Sequence, residues 1–264
     1  MSKTRLEKLK EIIGSYPSAA IAFSGGVDST FLAKVAGEVL GENVLLITAR
    51  SSTYPEFEFE ESRQLARKLG LTQRVIVSKE IDIPGFADNP PDRCYHCKKE
   101  LFGELRHIAE EQGIAVVFDG SNADDMLDYR PGRKALSELG IRSPLCEAGL
   151  TKDDIRNLSR EMKLVTAEKP SCACLASRFP YGEKITCEKL ARVGKAESSV
   201  RKLGFIQFRV RSHGDLARVE IAPSEMEKAW SKRNEIDTAC RDAGYTYAAL
   251  DIRGYRTGAM NEIL

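Results

Sequence analysis

The sequence predicts an α/β protein: a doubly wound parallel sheet followed by a smaller C-terminal α+β domain. Four short runs, 19–23, 44–49, 74–78 and 115–119, are nearly continuous in apolar residues, as strands buried on both faces are. The segments between them, 30–40, 56–69 and 98–112, have helical spacing and good helix formers. Strands alternating with helices in this way imply parallel pairing with helices on both faces. Beyond a stretch rich in Pro, Cys, Ser and Gly at 169–182, the order becomes helix, strand, strand, helix, strand, which suits a second domain of about 80 residues.

Composition narrows the function classes. Of 264 residues, 42% are hydrophobic and 30% charged, with a formal net charge of +1, so neither a disordered chain nor a general polyanion binder is expected. Nucleic acid is not a favoured partner on charge. The first residues place Leu6, Leu9, Ile12 and Ile13 among lysines and glutamates, as an amphipathic helix does, and lack the apolar core of a signal peptide. No stretch reaches the roughly 20 apolar residues of a membrane span. A cytoplasmic protein with no membrane partner is therefore expected, and its seven cysteines point to reduced thiols or metal ligation.

The elements divide the chain into a first domain at 1–168, a cysteine-bearing connector at 169–186 and a small domain at 187–264. Near the end of the first, Thr151 is placed as an N-cap with Asp154 in a capping-box position, leading into a helix over 155–164. In the small domain the expected elements are a helix near 188–203, strands near 206–211 and 216–221, a helix near 224–243 and a strand near 246–251.

Ser24-Gly25-Gly26-Val27-Asp28-Ser29-Thr30 lies between the first strand and the first long helix of the sheet domain. Two glycines permit a tight turn and close approach to a ligand, and Ser29 and Thr30 are read as opening a helix whose free amides suit an anion. The loop lacks the lysine of the G-x-x-x-x-G-K-[ST] pattern. Gly120-Ser121-Asn122-Ala123-Asp124-Asp125 follows another strand, where ligands of open α/β sheets bind, so Gly120, Asn122 and Asp125 join the candidates.

The first loop resembles the SGGxDS signature of PP-loop ATP pyrophosphatases, an adenine nucleotide α-hydrolase-like fold, and the second resembles a GTNADD-like segment of the same superfamily. The resemblance implies that ATP is bound, cleaved between its α- and β-phosphates, and held with Mg²⁺ near Asp28.

The connector sharpens this. Cys174-Leu-Ala-Ser-Arg-Phe-Pro-Tyr-Gly182, with 119–125, 130–136, 208–221 and 254–261, is similar to the LarE family, ATP-dependent sulfur transferases of nickel-pincer nucleotide cofactor synthesis. That similarity implies adenylation of a carboxylate on a pyridinium mononucleotide, displacement of AMP by sulfur, and a homo-oligomer. Cys174 matches the position that gives up its sulfur in members with a sacrificial cysteine, and Arg178 is the cation expected to favour its thiolate.

Cys94-Tyr-His-Cys97, read as a loop leading to the helix at Lys98, departs from the single-cysteine pattern. With Cys174, or with Cys172 in its place, the pair resembles the three-thiolate set of cluster-dependent tRNA thiolases, implying a [4Fe-4S] cluster with one open iron. A sacrificial Cys174, or a zinc or redox pair at Cys94 and Cys97, stay open as alternatives, as do a tRNA thiolase and an ammonia-dependent synthetase for the whole chain. Arg209 and Arg211 alternate along a strand and share a face suited to clamping the substrate phosphate, with Glu220 on the next strand. Cys146, Cys187 and Cys240 are read as ordinary thiols, and His96 and His213 are given no catalytic role.

Overall fold

In the computed structural model, which describes residues 2–126, 131–171, 173–256 and 259, the chain divides into two compact units. The first comprises Met1–Ile83 with Asp92–Cys172, and the second Pro84–Pro91 with Ala173–Leu264.

The first unit is built on strands β1 (Ala19–Ala22), β2 (Val44–Arg50), β3 (Thr72–Val77) and β4 (Val116–Phe118), all parallel and ordered β3-β2-β1-β4. Its helices are α1 (Ser2–Gly14), α2 (Val27–Leu40), α3 (Glu56–Leu69), α4 (Arg93–Glu111), α5 (Gly132–Glu138), α6 (Pro144–Glu147) and α7 (Lys152–Glu161). Side chains alternate across the sheet. Ala19, Ile21, Leu46, Val116 and Phe118 pack into one core with Leu9 and Ile13 of α1, Phe31 and Leu32 of α2, and Ile155 and Leu158 of α7. Ala20, Ile47, Ile76 and Val117 pack into a second with Phe102, Leu105 and Ile108 of α4 and Leu136 of α5. Covering both faces is why β1 and β4 are apolar at every position rather than at alternate ones, and each buried Leu, Ile or Phe contributes about 1.5–3 kcal/mol. β3 differs from the expectation of a strand buried on both faces, because at the sheet edge only its Ile76 is buried, with Val75 and Val77 exposed.

The second unit carries α8 (Cys187–Lys202), β5 (Phe208–His213), β6 (Leu216–Ile221), α9 (Met226–Ser231), α10 (Arg233–Asp242) and β7 (Tyr247–Leu250). The sheet order is β5-β6-β7, with β5 antiparallel and β7 parallel to β6. The single helix expected over 224–243 is instead a 3₁₀ turn at Pro223–Glu225 followed by α9 and α10, which break at Lys232. The bend leaves Ala229 on one side and Ile236 and Cys240 on the other all buried.

Pro84–Pro91 is held within this unit by Asn89, a non-glycine residue at φ 54° that is fully buried. Its side-chain amide donates to the Pro180 carbonyl at 2.6 Å, and its own carbonyl accepts from Gly182 N at 3.0 Å. Among the described residues, no helix is long and apolar enough to cross a membrane.

Candidate functional site

The loop after β1 needs its first glycine. Gly25 sits at φ 65°, and a Cβ there would lie 3.0 Å from Ser62 Cα of α3, so a side chain would meet both backbone strain and a backbone atom. Helix α2 begins at Val27, earlier than the sequence suggests. The Thr30 amide already donates to Gly26 O at 3.0 Å, so the leading amides are those of Val27, Asp28 and Ser29, and Thr30 itself is buried. Ser24 and Ser29 hydroxyls lie 3.2 Å apart. The Tyr54 hydroxyl donates to the Ser24 carbonyl at 2.6 Å, fixing the start of the loop.

Asp28, in the first turn of α2, faces residues far away in sequence. Lys152 Nζ donates to its Oδ2 at 2.5 Å and Asn122 Nδ2 to its Oδ1 at 3.4 Å. Lys152 is presented as the first residue of α7 because Thr151 and Asp154 form the expected capping box. Its amide is held by Asp124 Oδ2 at 2.8 Å, and Asp125 Oδ2 accepts from Asn122 N at 3.0 Å. Gly120 lets β4's exit pass close to the phosphate loop, since a Cβ there would be 3.3 Å from Ser29 N. Amides for an anion, a carboxylate for a hard cation and a lysine thus converge at the carboxyl ends of β1 and β4, where open α/β sheets bind ligands.

A second lysine reaches the loop. Lys169 Nζ donates to Gly25 O at 3.1 Å and pairs with Glu58 Oε2 at 2.5 Å and Glu61 Oε2 at 2.7 Å, both on α3. Burial alone would lower its pKa; the two carboxylates outweigh that and raise it, so the ammonium stays charged. Sequence reasoning missed Tyr54, Lys152 and Lys169. Only Lys152 carried a local signal, its place beside the Thr151 cap.

At the ends of β2 and β3 a third group lies buried. Glu80 follows β3, and Ser51 and Thr53 follow β2, their hydroxyls 3.1 Å apart. Burial raises the Glu80 pKa against the hydrogen bonds from Ser51 and Thr53 that lower it.

Cys94 and Cys97 are not in a loop: they are the second and fifth residues of α4, three residues apart on one face of the helix. Cys94 is exposed and Cys97 half-buried. The next residue, Lys98, lies 3.6 Å from Asp119 Oδ2, and Asp119, at the end of β4, also accepts from Ser121 Oγ at 2.6 Å and from Ser143 Oγ. The pair is thereby tied to the carboxyl edge of the sheet. Two thiolates in this place fit a soft metal centre in part; among the described residues, no three His, Cys, Asp or Glu side chains form a metal-holding group. Cys172 lies outside the described residues.

In the second unit, Cys174 is exposed and caps the 3₁₀ turn Leu175–Arg178. Arg178 is fully buried and its guanidinium is engaged: Nε and Nη2 meet Glu197 at 2.8 and 2.9 Å, and Nη1 donates to Ala173 O at 2.8 Å and Cys174 O at 3.1 Å. It grips the backbone on both sides of the Cys174 amide, which differs from the expectation of a cation beside the thiol. Burial would raise the Glu197 pKa, but the Arg178 charge and hydrogen bonds bring it below the ordinary value.

Arg209 and Arg211 do share a strand, yet both are buried and already engaged, unlike an open clamp. Arg211 Nη2 pairs with the fully buried Glu220 Oε2 at 2.9 Å and its Nη1 donates to Ser177 O at 3.0 Å. Arg209 Nη1 donates to Phe208 O at 2.6 Å, with the guanidinium 5.1 Å from the Tyr255 ring centre. Arg211 and Arg178 therefore both hold the turn that Cys174 caps. Arg218 adds a contact to Glu220 Oε1 at 3.2 Å.

Known proteins share much of this sequence. No protein-family profile matches the chain. It is 42% identical over 266 residues to an uncharacterised protein of Synechocystis sp., covering 100% of this chain and 99% of that one. It is 38% identical over 245 residues to the pyridinium-3,5-bisthiocarboxylic acid mononucleotide synthase of Lactiplantibacillus plantarum, covering 92% of this chain and 89% of the synthase. A partial match, 25% identical over 160 residues and covering 54% of this chain and 49% of the other, is to one component of the glutamine-hydrolysing GMP synthase of Methanococcus vannielii.

Proposed function

Because the chain belongs to the LarE family of PP-loop proteins, of which the Lactiplantibacillus plantarum pyridinium-3,5-bisthiocarboxylic acid mononucleotide synthase is a member, we propose that it is an ATP-dependent sulfur transferase. It converts a carboxylate of a pyridinium biscarboxylate mononucleotide into a thiocarboxylate. The observation that carries this reading is the loop at 24–30 with Asp28 and Lys152 set at its helix end.

In the activation half, a substrate carboxylate oxygen attacks the α-phosphorus of ATP, the bond to the β-phosphate breaks, and pyrophosphate leaves. The amides of Val27, Asp28 and Ser29, with Lys152, bind the phosphates and stabilise the charge that develops on them. Asp28 would hold Mg²⁺, a hard cation that takes oxygen ligands, and the ion would supply positive charge against the phosphates. Asn122 orients Asp28 through its side-chain amide.

In the transfer half, a sulfur nucleophile attacks the acyl carbon and AMP leaves. Cys174, exposed at the head of a turn gripped by Arg178 and Arg211, is the proposed thiol. If it supplies its own sulfur, its Sγ forms the thioester. Loss of the Cα proton and cleavage of the Cβ–S bond then release the thiocarboxylate and leave dehydroalanine. The alternative donor is a [4Fe-4S] cluster held by Cys94, Cys97 and Cys174, or by Cys172 in the place of Cys174; when bound it would supply an exchangeable sulfide. Arg209 and Arg211, with Glu220, are proposed to act on the substrate indirectly, Arg211 by holding the turn at Cys174 through Ser177 O while paired with Glu220.

Incubation with Mg²⁺, ATP and the biscarboxylated pyridinium mononucleotide tests the reading. AMP, pyrophosphate and thiocarboxylate are expected; absence of AMP with this substrate would leave only a nucleotide-binding protein. The donor is resolved by counting iron and acid-labile sulfide after anaerobic purification, and by mass spectrometry after turnover. Loss of one H₂S at Cys174 marks the sacrificial route, whereas iron that disappears in Cys94→Ala and Cys97→Ala marks the cluster.

A further inference from the structure

Four consecutive backbone carbonyls, from Phe23 to Gly26, run through the turn between β1 and α2, and each accepts a hydrogen bond from a different donor of the first unit. Thr48 Oγ1 of β2 donates to Phe23 O at 2.6 Å, the Tyr54 hydroxyl to Ser24 O at 2.6 Å, Lys169 Nζ to Gly25 O at 3.1 Å and the Thr30 amide to Gly26 O at 3.0 Å. A trans peptide is planar, so its N–H points opposite to its C=O. Fixing the carbonyls of Ser24 and Gly25 therefore fixes the directions of the Gly25 and Gly26 amides.

Nothing local makes that choice. A flip of the peptide between Ser24 and Gly25 changes φ of Gly25, and a flip of the next one changes φ of Gly26. Glycine tolerates either sign of φ, and these two stand at 65° and −77°. Backbone preference thus leaves both peptide orientations open. A flipped peptide would turn a carbonyl oxygen, instead of an N–H, toward an incoming phosphate.

We propose that Tyr54 and Lys169 are positioning residues that hold these two peptide planes, so that the Gly25 and Gly26 amides are aimed at the polyphosphate before it arrives. The inference rests on the reading of the loop as the ATP site. Gly26 shows the direction: its amide points to Ser24 Oγ at 3.4 Å, and that hydroxyl lies 3.2 Å from Ser29 Oγ in the first turn of α2. The side of the peptide away from Lys169 is therefore the side of the helix start, where an anion is stabilised. Glu58 Oε2 at 2.5 Å and Glu61 Oε2 at 2.7 Å complete the acceptors of Lys169. An ammonium has three protons, and with Gly25 O all three are engaged, which keeps Nζ on the carbonyl.

Helix α3 sets both donors. Tyr54 lies two residues ahead of its first residue, Glu56, with the Tyr54 amide bonded to Ser51 O at 3.2 Å, and Glu58 and Glu61 sit in its first two turns. The start of α3 is the template on which the turn between β1 and α2 is shaped.

The test reads the two amides directly in the full-length protein. Ser24-Gly25 and Gly25-Gly26 are dipeptides that occur once each in the chain, so ¹⁵N-glycine combined with carbonyl-¹³C serine or glycine assigns both signals. Without nucleotide, the wild type should give one sharp signal for each. Tyr54→Phe, which removes only the hydroxyl, should broaden or split Gly25. Lys169→Met combined with Glu58→Gln, which avoids leaving a buried uncompensated carboxylate, should do the same to Gly26, and Lys169→Arg should restore it. Affinity for a non-hydrolysable ATP analogue with Mg²⁺, read by calorimetry, should fall about tenfold where the competent loop is populated at about a tenth. Single, unbroadened signals in both variants overturn the proposal; if affinity falls all the same, Lys169 is a direct phosphate contact. Broadened signals with unchanged affinity overturn it as well. A wild type that binds no ATP analogue counts against the ATP site itself, and the signals of the nucleotide-free protein still decide whether Tyr54 and Lys169 hold the peptide planes.

Discussion

Lys152 Nζ lies 2.5 Å from Asp28 Oδ2 although 124 positions separate them in the chain. The pair brings α7 to the first turn of α2 and sets a cation on the carboxylate proposed to take Mg²⁺. Asp28→Asn should lower AMP formation by about a hundredfold or more and remove the Mg²⁺ dependence of ATP binding, measured by titration calorimetry with and without the metal. Retention of a full Mg²⁺ effect would move the metal site elsewhere.

Gly25→Ala tests the loop's backbone. The φ of 65° and the 3.0 Å approach to Ser62 Cα predict strain of about 1–2 kcal/mol for the left-handed conformation alone. ATP affinity should fall more than overall stability, as read by nucleotide titration beside urea denaturation.

Glu197→Gln tests the Cys174 turn. Removing one partner of a buried ion pair typically costs about 3–5 kcal/mol, because Arg178 would be left without its counter-charge. The pH dependence has a defined sign. The folded pKa of Glu197 is lowered, so its contribution is present above the ordinary glutamate value and is lost as pH falls through the folded one. Acid unfolding curves should therefore be flatter below the ordinary glutamate range in the Gln variant than in the wild type.

Glu80 has the opposite sign. Its folded pKa is raised by burial, so its folded state is favoured below the ordinary glutamate value and loses stability as pH rises through the folded pKa. Glu80→Gln is expected to raise Tm at neutral pH and to leave it unaltered at acid pH. A lower Tm at neutral pH would mean that the ionised carboxylate is needed by Ser51 and Thr53.

Much of this was legible in the chain. The runs around Ile21, Leu46 and Val117 announced strands buried on both faces, the spacing of Glu56–Leu69 announced α3, and Thr151 with Asp154 announced the start of α7. Boundaries were less legible where local pattern competes with geometry. Cys94 and Cys97 look like loop residues after the two prolines, yet α4 starts ahead of them at Arg93. The bend at Lys232 left no mark in helical spacing, because both halves keep the same apolar period.

By itself the sequence determined the parallel sheet, the glycine turn between β1 and α2 and the family to which the chain belongs, since these depend on periodicity, glycines and contiguous motifs, which are local properties. Only the tertiary structure decided which charges meet. Lys152 on Asp28, Lys169 on Gly25 and Arg178 on Glu197 are each set by packing of elements that do not follow one another in the chain. An ammonium or guanidinium takes its role from the acceptors within about 3 Å of it, and chain order does not encode that distance.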